Sequence, residues 1–157
     1  MHEKSHDPSR AHEVTAGMLA EHEQCMKVVA RVEACLDRHP DVAGTWLADL
    51  RTELPLLARV IERHFEDEER GPLYRVLPVA RPRFADRLQK LQAQHVDIRE
   101  AVSRAMTRAA ELQDPPLHEI RELNSQVQLA VALIRRHEAA ENEILLAANW
   151  DEVGVGD

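Results

Sequence analysis

The stretch at residues 84–112, FADRLQKLQAQHVDIREAVSRAMTRAAEL, places a non-polar side chain or a histidine at alternating steps of three and four residues. Such steps keep these positions on one face of a helix with 3.6 residues per turn. His95 is the polar residue on this face. The stretch therefore predicts a long amphipathic helix that carries a histidine on its buried side.

Three further segments repeat this stepping, and each lies between signals that start or stop a helix. An Asp-Pro pair opens the first segment, a Gly-Pro pair closes the second, and Asp-Pro-Pro precedes the last. The predicted helices cover about residues 8–38, 45–70 and 115–149. Pro55 lies inside the second helix, where its missing backbone donor predicts a kink about two turns before His64.

Four amphipathic helices, joined by short connections and without a strand pattern, indicate an all-α protein. The predicted architecture is an antiparallel up-down-up-down four-helix bundle formed by residues 8–149. The polar termini, residues 1–7 and 150–157, are expected to be flexible tails. A chain of 157 residues is accounted for by this one domain.

The composition argues against several other classes of protein. The chain has 28 acidic and 20 basic residues, and a net charge of -8 predicts no binding to nucleic acid. No apolar stretch reaches the roughly 18 residues of a membrane helix, and Met1–Arg10 lacks the apolar core of a secretion signal. Cys25 and Cys35 lie about 15 Å apart along one predicted helix, too far for a disulfide. We therefore expect a soluble, cytoplasmic protein.

Six polar residues fall on the buried faces of the four predicted helices, namely His22, His64, Glu68, His95, His137 and Glu141. Burying such groups is unfavourable by several kcal/mol unless they are paired or bind a metal. Counting about 1.5 Å per residue from the connecting turns puts His22 within about 3 Å of the height of His64. The same count puts His95 within about 6 Å of the height of His137. All four helices are thus predicted to place ligands at one level.

Two of the helices carry a histidine followed by a glutamate four residues later, in HFEDE at 64–68 and HEAAE at 137–141. This spacing puts both side chains on one face, about 6 Å apart. A carboxylate one turn from an imidazole can bridge two ions that lie about 3.5 to 4 Å apart. Mixed nitrogen and oxygen ligands favour iron, then manganese, with zinc third. The six residues are therefore predicted to be the ligands of a two-metal site.

The series H, H-x-x-x-E, H, H-x-x-x-E on successive helices resembles the hemerythrin-like, or HHE cation-binding, domain family over about residues 10–148. The E-x-x-H pair of ferritin-like bundles has the opposite order. The resemblance implies a four-helix bundle with a non-heme di-iron centre, oxo- or hydroxo-bridged. It also implies small ligands, namely dioxygen, hydrogen peroxide or nitric oxide.

The chain departs from the oxygen-carrying hemerythrins, which have five histidines with an H-x-x-x-H pair on the third helix. Leu91 and Arg99 stand four residues before and after His95, and neither side chain can donate a nitrogen lone pair to iron. One ion then keeps more positions for water or peroxide, which is typical of a reactive site. Arg99 has two interpretations, a surface salt bridge or a group that holds an anion or an outer carboxylate near the metals.

Two classes of function follow from this pattern. In the first, the protein is an enzyme that reacts with peroxide or dioxygen, in the manner of a catalase or peroxidase, with a role in oxidative stress. In the second, it binds or senses oxygen, nitric oxide or iron without turnover. The pattern leaves both open.

The other histidines and the acids beside the ligands are interpreted as surface groups. The histidines are His2, His6, His12, His39 and His118, which lie off the buried faces. The acids are Glu66, Asp67, Glu69 and Glu138, which are expected to point to other faces of their helices. Among them Glu69 is the best reserve ligand.

Overall fold

The computed structural model describes the backbone of residues 8–38 and 44–153, and the side chains of 13–38 and 44–149. The described residues form helices and turns, with no strand among them. In chain order the helices are α1 (Pro8–Leu36), α2 (Thr45–Arg70), α3 (Pro72–Arg75), α4 (Leu77–Ala80), a 3-10 segment (Pro82–Phe84), α5 (Ala85–Glu111) and α6 (Leu117–Val153). The all-helical class predicted from the sequence is confirmed.

The long helices α1, α2 and α5 end within about two residues of their predicted limits. The last helix, α6, continues to Val153 instead of ending near Asn149. No proline or glycine follows Pro116 until Gly154, so no residue in between breaks the helix. Of the predicted flexible tails, 1–7 and 150–157, residues 1–7 and 154–157 lie outside the described residues, and residues 150–153 belong to α6.

The connection between α2 and α5 contains three short helical segments, α3, α4 and the 3-10 segment. Pro72, Pro78 and Pro82 each lie in the first turn of a short helical segment. Backbone N–H groups in a first turn have no acceptor within the helix, so proline, which lacks this group, costs no hydrogen bond there. Each proline thus starts a new helical segment between Gly71 and Ala85. This connection brings Tyr74 to the end of the long helices that carries the polar cluster.

The four long helices surround a common core. The main contacts join α1 to α2, α2 to α5, α5 to α6 and α6 back to α1. The predicted apolar faces are buried, including Val29 of α1, Leu57 of α2, Val102 of α5 and Ile134 of α6. Burial of a side chain of this size contributes roughly 1.5 to 3 kcal/mol each. The core therefore holds the four helices in a fixed relation on which the site depends.

The second long helix, α2, passes through Pro55 as one continuous helix. One turn earlier, the Arg51 guanidinium donates hydrogen bonds to the carbonyl of Ala109, at 2.7 Å, and to that of Leu112. These carbonyls lie at the C-terminal end of α5, where backbone acceptors have no partner within the helix.

No helix in the described part of the chain has the length and apolar character to cross a membrane.

Candidate metal centre

The six predicted ligands meet in one buried cluster between the four long helices. Their exposed fractions range from 0% for His95, His137 and Glu141 to 7% for His64. The cluster lies between a larger apolar core on one side and a smaller apolar cluster around Leu88 on the other. The stepping of the sequence thus predicted correctly that these polar residues face inward.

The two oxygens of Glu68 face different histidines. Its Oε1 lies 2.8 Å from Nε2 of His22 and 3.0 Å from Nε2 of His64. Its Oε2 lies 3.6 Å from Nε2 of His95. One carboxylate therefore reaches both the pair of imidazoles from α1 and α2 and an imidazole from α5.

Glu141 repeats this arrangement from the opposite side. Its Oε1 lies 3.1 Å from Nε2 of His137 and 3.8 Å from Nε2 of His95. Its Oε2 lies 3.6 Å from Nε2 of His22. Both glutamates thus lie between two imidazole pairs, which is the position a carboxylate needs in order to bridge two ions.

The potential ligand atoms form two overlapping groups, each within a span of 4.8 Å. One group contains His22, His64, Glu68, Glu138 and Glu141, and the other contains Glu68, His95, His137 and Glu141. The shared members are the two carboxylates that lie between the imidazole pairs. The cluster therefore contains two overlapping groups of donors, each of which could hold a metal ion.

Three of the four histidines have an oxygen partner for Nδ1, the ring nitrogen that does not face Glu68 or Glu141. Nδ1 of His22 donates to Oδ1 of Asn142 at 2.7 Å, and Nδ1 of His95 donates to Oε1 of Glu69 at 2.8 Å. Nδ1 of His137 lies 3.2 Å from the Gln94 side-chain oxygen. Such partners fix the ring and leave the lone pair of Nε2 directed at the cluster, as in metal-binding histidines.

Several features of the donor set fit a pair of metal ions. One oxygen each of Glu68, Glu138 and Glu141 is buried and accepts no hydrogen bond from the described residues. Nε2 of His95 and Nε2 of His137 lie 3.0 Å apart. Two nitrogens that bind one ion at about 2 Å and a right angle are about 3 Å apart. Nitrogen and oxygen donors without thiolate suit iron or manganese.

In the metal-free protein the cluster is held by charge pairing. Burial lowers the pKa of His22, but its hydrogen bond with Glu68 and the charge of Glu138 outweigh burial and raise this pKa to about 9. Burial likewise opposes protonation of His64, yet hydrogen bonds with Glu138 and Glu68 raise its pKa to about 10. Burial raises the pKa of Glu141, and its hydrogen bonds with His137 and His95 reverse this and hold the pKa far below its usual range. Metal binding must therefore displace protons from imidazoles.

The prediction that Glu138 points to another face of its helix is wrong, because this residue is 2% exposed and part of the cluster. Its Oε1 lies 2.9 Å from Nε2 of His64. Between α5 and α1, helix α6 buries two adjacent positions instead of one. Three adjacent pairs are buried at intervals of seven residues, namely Ala130-Val131, His137-Glu138 and Ile144-Leu145. This heptad signal would have identified Glu138.

Glu69, the predicted reserve ligand, lies outside both groups of potential ligand atoms. Its Oε1 accepts hydrogen bonds from Nδ1 of His95 and, at 3.1 Å, from the Arg99 guanidinium. Arg99 also donates to Glu62 at 2.9 Å. Both interpretations of Arg99 therefore apply in part. It forms a surface ion pair with Glu62, and it holds the carboxylate of Glu69 beside His95. Glu66 and Asp67 are exposed, as predicted.

Two aromatic residues border the cluster and were not predicted as part of it. The Tyr74 hydroxyl donates a hydrogen bond to Oε1 of Glu141, and its ring lies 5.4 Å from that of His95. Phe65 stacks on the His95 ring with a centroid distance of 3.9 Å. Phe65 follows His64 as Glu138 follows His137, so the two-residue width of the buried face explains both. Tyr74 lies on a one-turn helix, where no periodic pattern exists.

His118 is exposed, as predicted. His2, His6 and His39 lie outside the described residues, as does the side chain of His12.

A helical protein with buried imidazole pairs and two carboxylates between them belongs to the class of proteins that can hold metal ions inside a helical core. The hemerythrin HHE cation binding domain matches residues 12–148, which is most of the chain. The chain belongs to this family. Comparison with curated proteins and with solved structures finds no match.

Proposed function

We propose that this protein is a non-heme di-iron protein that reacts with hydrogen peroxide or dioxygen, in the manner of a catalase or peroxidase. The observation that carries the proposal is the position of Glu68 and Glu141, each of which turns one oxygen toward each pair of imidazoles. The proposed ligands are His22, His64, Glu68, His95, His137 and Glu141. Manganese is the second choice of metal and zinc the third.

The proposed architecture is the antiparallel up-down-up-down four-helix bundle. Helices α1 and α2 pack together and are joined by residues 37–44, and α5 and α6 pack together and are joined by residues 112–116. Long helices that are neighbours and share so short a connection run in opposite directions. The two free, buried cysteines suit a reducing compartment such as the cytoplasm.

The iron pair, when bound, would supply two redox-active ions that exchange electrons with peroxide or dioxygen and acidify bound water. The chain's own groups position the ligands, since Asn142, Glu69 and Gln94 hold the outer nitrogens of three histidines. The Tyr74 hydroxyl holds a proton against Oε1 of Glu141. Because the cluster is almost fully buried, only small molecules suit it as substrates.

The absence of a fifth histidine supports reactivity over reversible oxygen carriage. Leu91 packs in the apolar cluster with Leu88 and Ile144, and Arg99 bonds Glu62 and Glu69. Neither side chain supplies the nitrogen that the oxygen carriers have there. With one protein ligand fewer than in the oxygen carriers, a bound iron pair would be expected to react with peroxide rather than form a long-lived oxygen adduct.

The test is to mix the iron-loaded protein with hydrogen peroxide in an oxygen electrode, with free iron as the control. We expect peroxide consumption with oxygen release well above that of free iron, and loss of this activity in Glu141→Ala. The contrary result is oxygen release equal to that of free iron, together with reversible oxygen uptake by the reduced protein over minutes. That result would replace the enzyme with a binding or sensing protein for oxygen or nitric oxide.

A further inference from the structure

The two halves of the cluster are closely alike. The pair α1 and α2 supplies His22, His64 and Glu68, and the pair α5 and α6 supplies His95, His137 and Glu141. The outer partners also correspond, because Asn142 and Glu69 each directly follow the glutamate of an H-x-x-x-E pair. Asn142 accepts from Nδ1 of His22 and Glu69 accepts from Nδ1 of His95. This correspondence makes any difference between the halves informative.

The halves differ at the residue that follows the histidine of each H-x-x-x-E pair. On α2 this residue is Phe65, whose ring stacks on His95 at 3.9 Å and meets His137 edge-on at 5.4 Å. On α6 it is Glu138, whose Oε1 lies 2.9 Å from Nε2 of His64 and whose Oε2 lies 3.4 Å from Nδ1 of His22. One imidazole pair is therefore covered by an apolar ring and the other by a carboxylate.

Glu138 has more in common with a ligand than with an outer partner. Its Oε1 faces Nε2 of His64, the same nitrogen that lies 3.0 Å from Oε1 of Glu68. Its Oε2 is buried and accepts no hydrogen bond from the described residues. An ionised carboxylate in such a place requires a compensating positive charge. Glu68 and Glu141 alone leave much of the charge of two metal ions unbalanced, and Glu138 reduces the excess.

We propose that Glu138 is a third, non-bridging protein ligand of the ion held by His22 and His64, and that an outside ligand binds the other ion, held by His95 and His137. This inference rests on the proposed two-metal site. If two ions bind as proposed, two imidazoles, Glu68, Glu141, Glu138 and one solvent oxygen would fill the roughly six positions of the first ion. Phe65 offers no donor in the corresponding place, so the second ion would have one protein ligand fewer.

Tyr74 lies beside the imidazole pair of the proposed second ion. Its hydroxyl contacts Oε1 of Glu141, the oxygen that faces His137 at 3.1 Å and His95 at 3.8 Å. Its ring lies edge-on to His95. The Tyr74 phenol is therefore a hydroxyl donor beside His95 and Glu141, two of the proposed ligands of the second ion.

The first measurement is iron affinity, by anaerobic dialysis of the wild type, Glu138→Ala, Glu138→Gln and the control Glu143→Ala. Glu143 lies on the same helix and is exposed, so it changes the net charge without touching the cluster. Loss of an outer partner of a ligand already lowers metal affinity about 10- to 100-fold. We expect both Glu138 variants to lose at least about 10-fold in affinity for one of two ions. Glu143→Ala should match the wild type.

The second measurement is azide binding to the diferric proteins, followed by the azide-to-iron absorption band. We expect one azide per chain in the wild type and in Glu143→Ala, and two in Glu138→Ala, where added acetate competes for the second. Two azides in the wild type would overturn the inference without any variant. Equal iron affinity and equal azide binding in Glu138→Ala and Glu143→Ala would also overturn the inference about Glu138. If those variants still bound two irons, the proposed function would be unaffected. A wild type that does not bind two metal ions would overturn both the inference and the proposed function.

Discussion

Among the individual residues, the proposed metal centre depends most on Glu68 and Glu141, whose two oxygens have different neighbours. Glu68→Ala removes one of the two proposed shared ligands, so each proposed ion would lose a bond. We expect this variant, expressed with ample iron, to retain far less iron per chain than the wild type. The control is Glu66→Ala on the same helix, because Glu66 is exposed and pairs only loosely with Arg70. Metal analysis of both proteins checks the prediction, and equal iron contents would contradict it.

Glu69 is expected to act on the metal through His95. It accepts the Nδ1 proton of that ring and thereby fixes the direction of Nε2. Glu69→Ala should lower metal affinity about 10- to 100-fold, the usual effect of removing such a partner. Glu62→Ala is a matched control, because Glu62 also bonds Arg99 but does not touch the cluster. Competition with a coloured chelator measures both affinities, and a Glu62→Ala loss as large as that of Glu69→Ala would argue for Arg99 as the important group.

The residues of the site differ in how far the sequence alone could identify them. Histidines and glutamates that continue the apolar stepping, such as His95 and Glu141, were predicted as ligands because burying them is unfavourable unless they are paired or bind a metal. Glu138 was missed because it lies beside the stepping of three and four residues, on a second line of buried positions with Val131 and Leu145. Tyr74 was missed because its position depends on the path of a connection, which local periodicity does not determine.

Among the helices, the last turn of α2 leaves no room for a side chain at residue 71, because Gly71 packs against the backbone of this turn. A Cβ at residue 71 would lie 3.0 Å from the carbonyl oxygen of Asp67 and 3.4 Å from that of Glu68. These are backbone atoms, so relief requires moving the turn that carries the Glu68 side chain. We expect Gly71→Ala to destabilise the protein by about 1 to 3 kcal/mol and to lower iron content. Urea unfolding and metal analysis check the two effects.

Gly17 provides the opposite case for the same substitution. It lies within α1 and is exposed, and a Cβ at this residue would have no neighbouring atom within 4 Å. Gly17→Ala should therefore stabilise the protein by up to about 1 kcal/mol, since alanine favours the helix, with iron content unchanged. Equal effects of the two substitutions would contradict the role assigned to Gly71.

The long helices were predictable because a period of three to four residues over six or more turns has few other interpretations. The one-turn helices α3 and α4 were not, because four residues contain no period to detect. The end of α6 was placed too early because composition, rather than the next helix-breaking residue, was used to locate it.

For the molecule as a whole, the metal and the fold are expected to be coupled. Oε2 of Glu68 and Oε2 of Glu141 are buried and accept no hydrogen bond from the described part of the chain, so a bound metal would compensate their charge. A ligand at 100 times its dissociation constant stabilises a protein by about 2.7 kcal/mol. For a chain of this size, that corresponds to a rise in Tm of roughly 5 to 10 °C. Calorimetry of the loaded and metal-free protein checks this, and an unchanged Tm would contradict it.

The presence of two metal ions is tested most simply by the metal content of the wild-type protein, purified after expression with ample iron. Mass spectrometric metal analysis should find close to two iron ions per chain, accompanied by near-ultraviolet absorption from a bridged ferric pair. This result follows from the two carboxylates that lie between the imidazole pairs. One ion per chain, stoichiometric zinc without iron, or no bound metal would contradict the proposed di-iron centre.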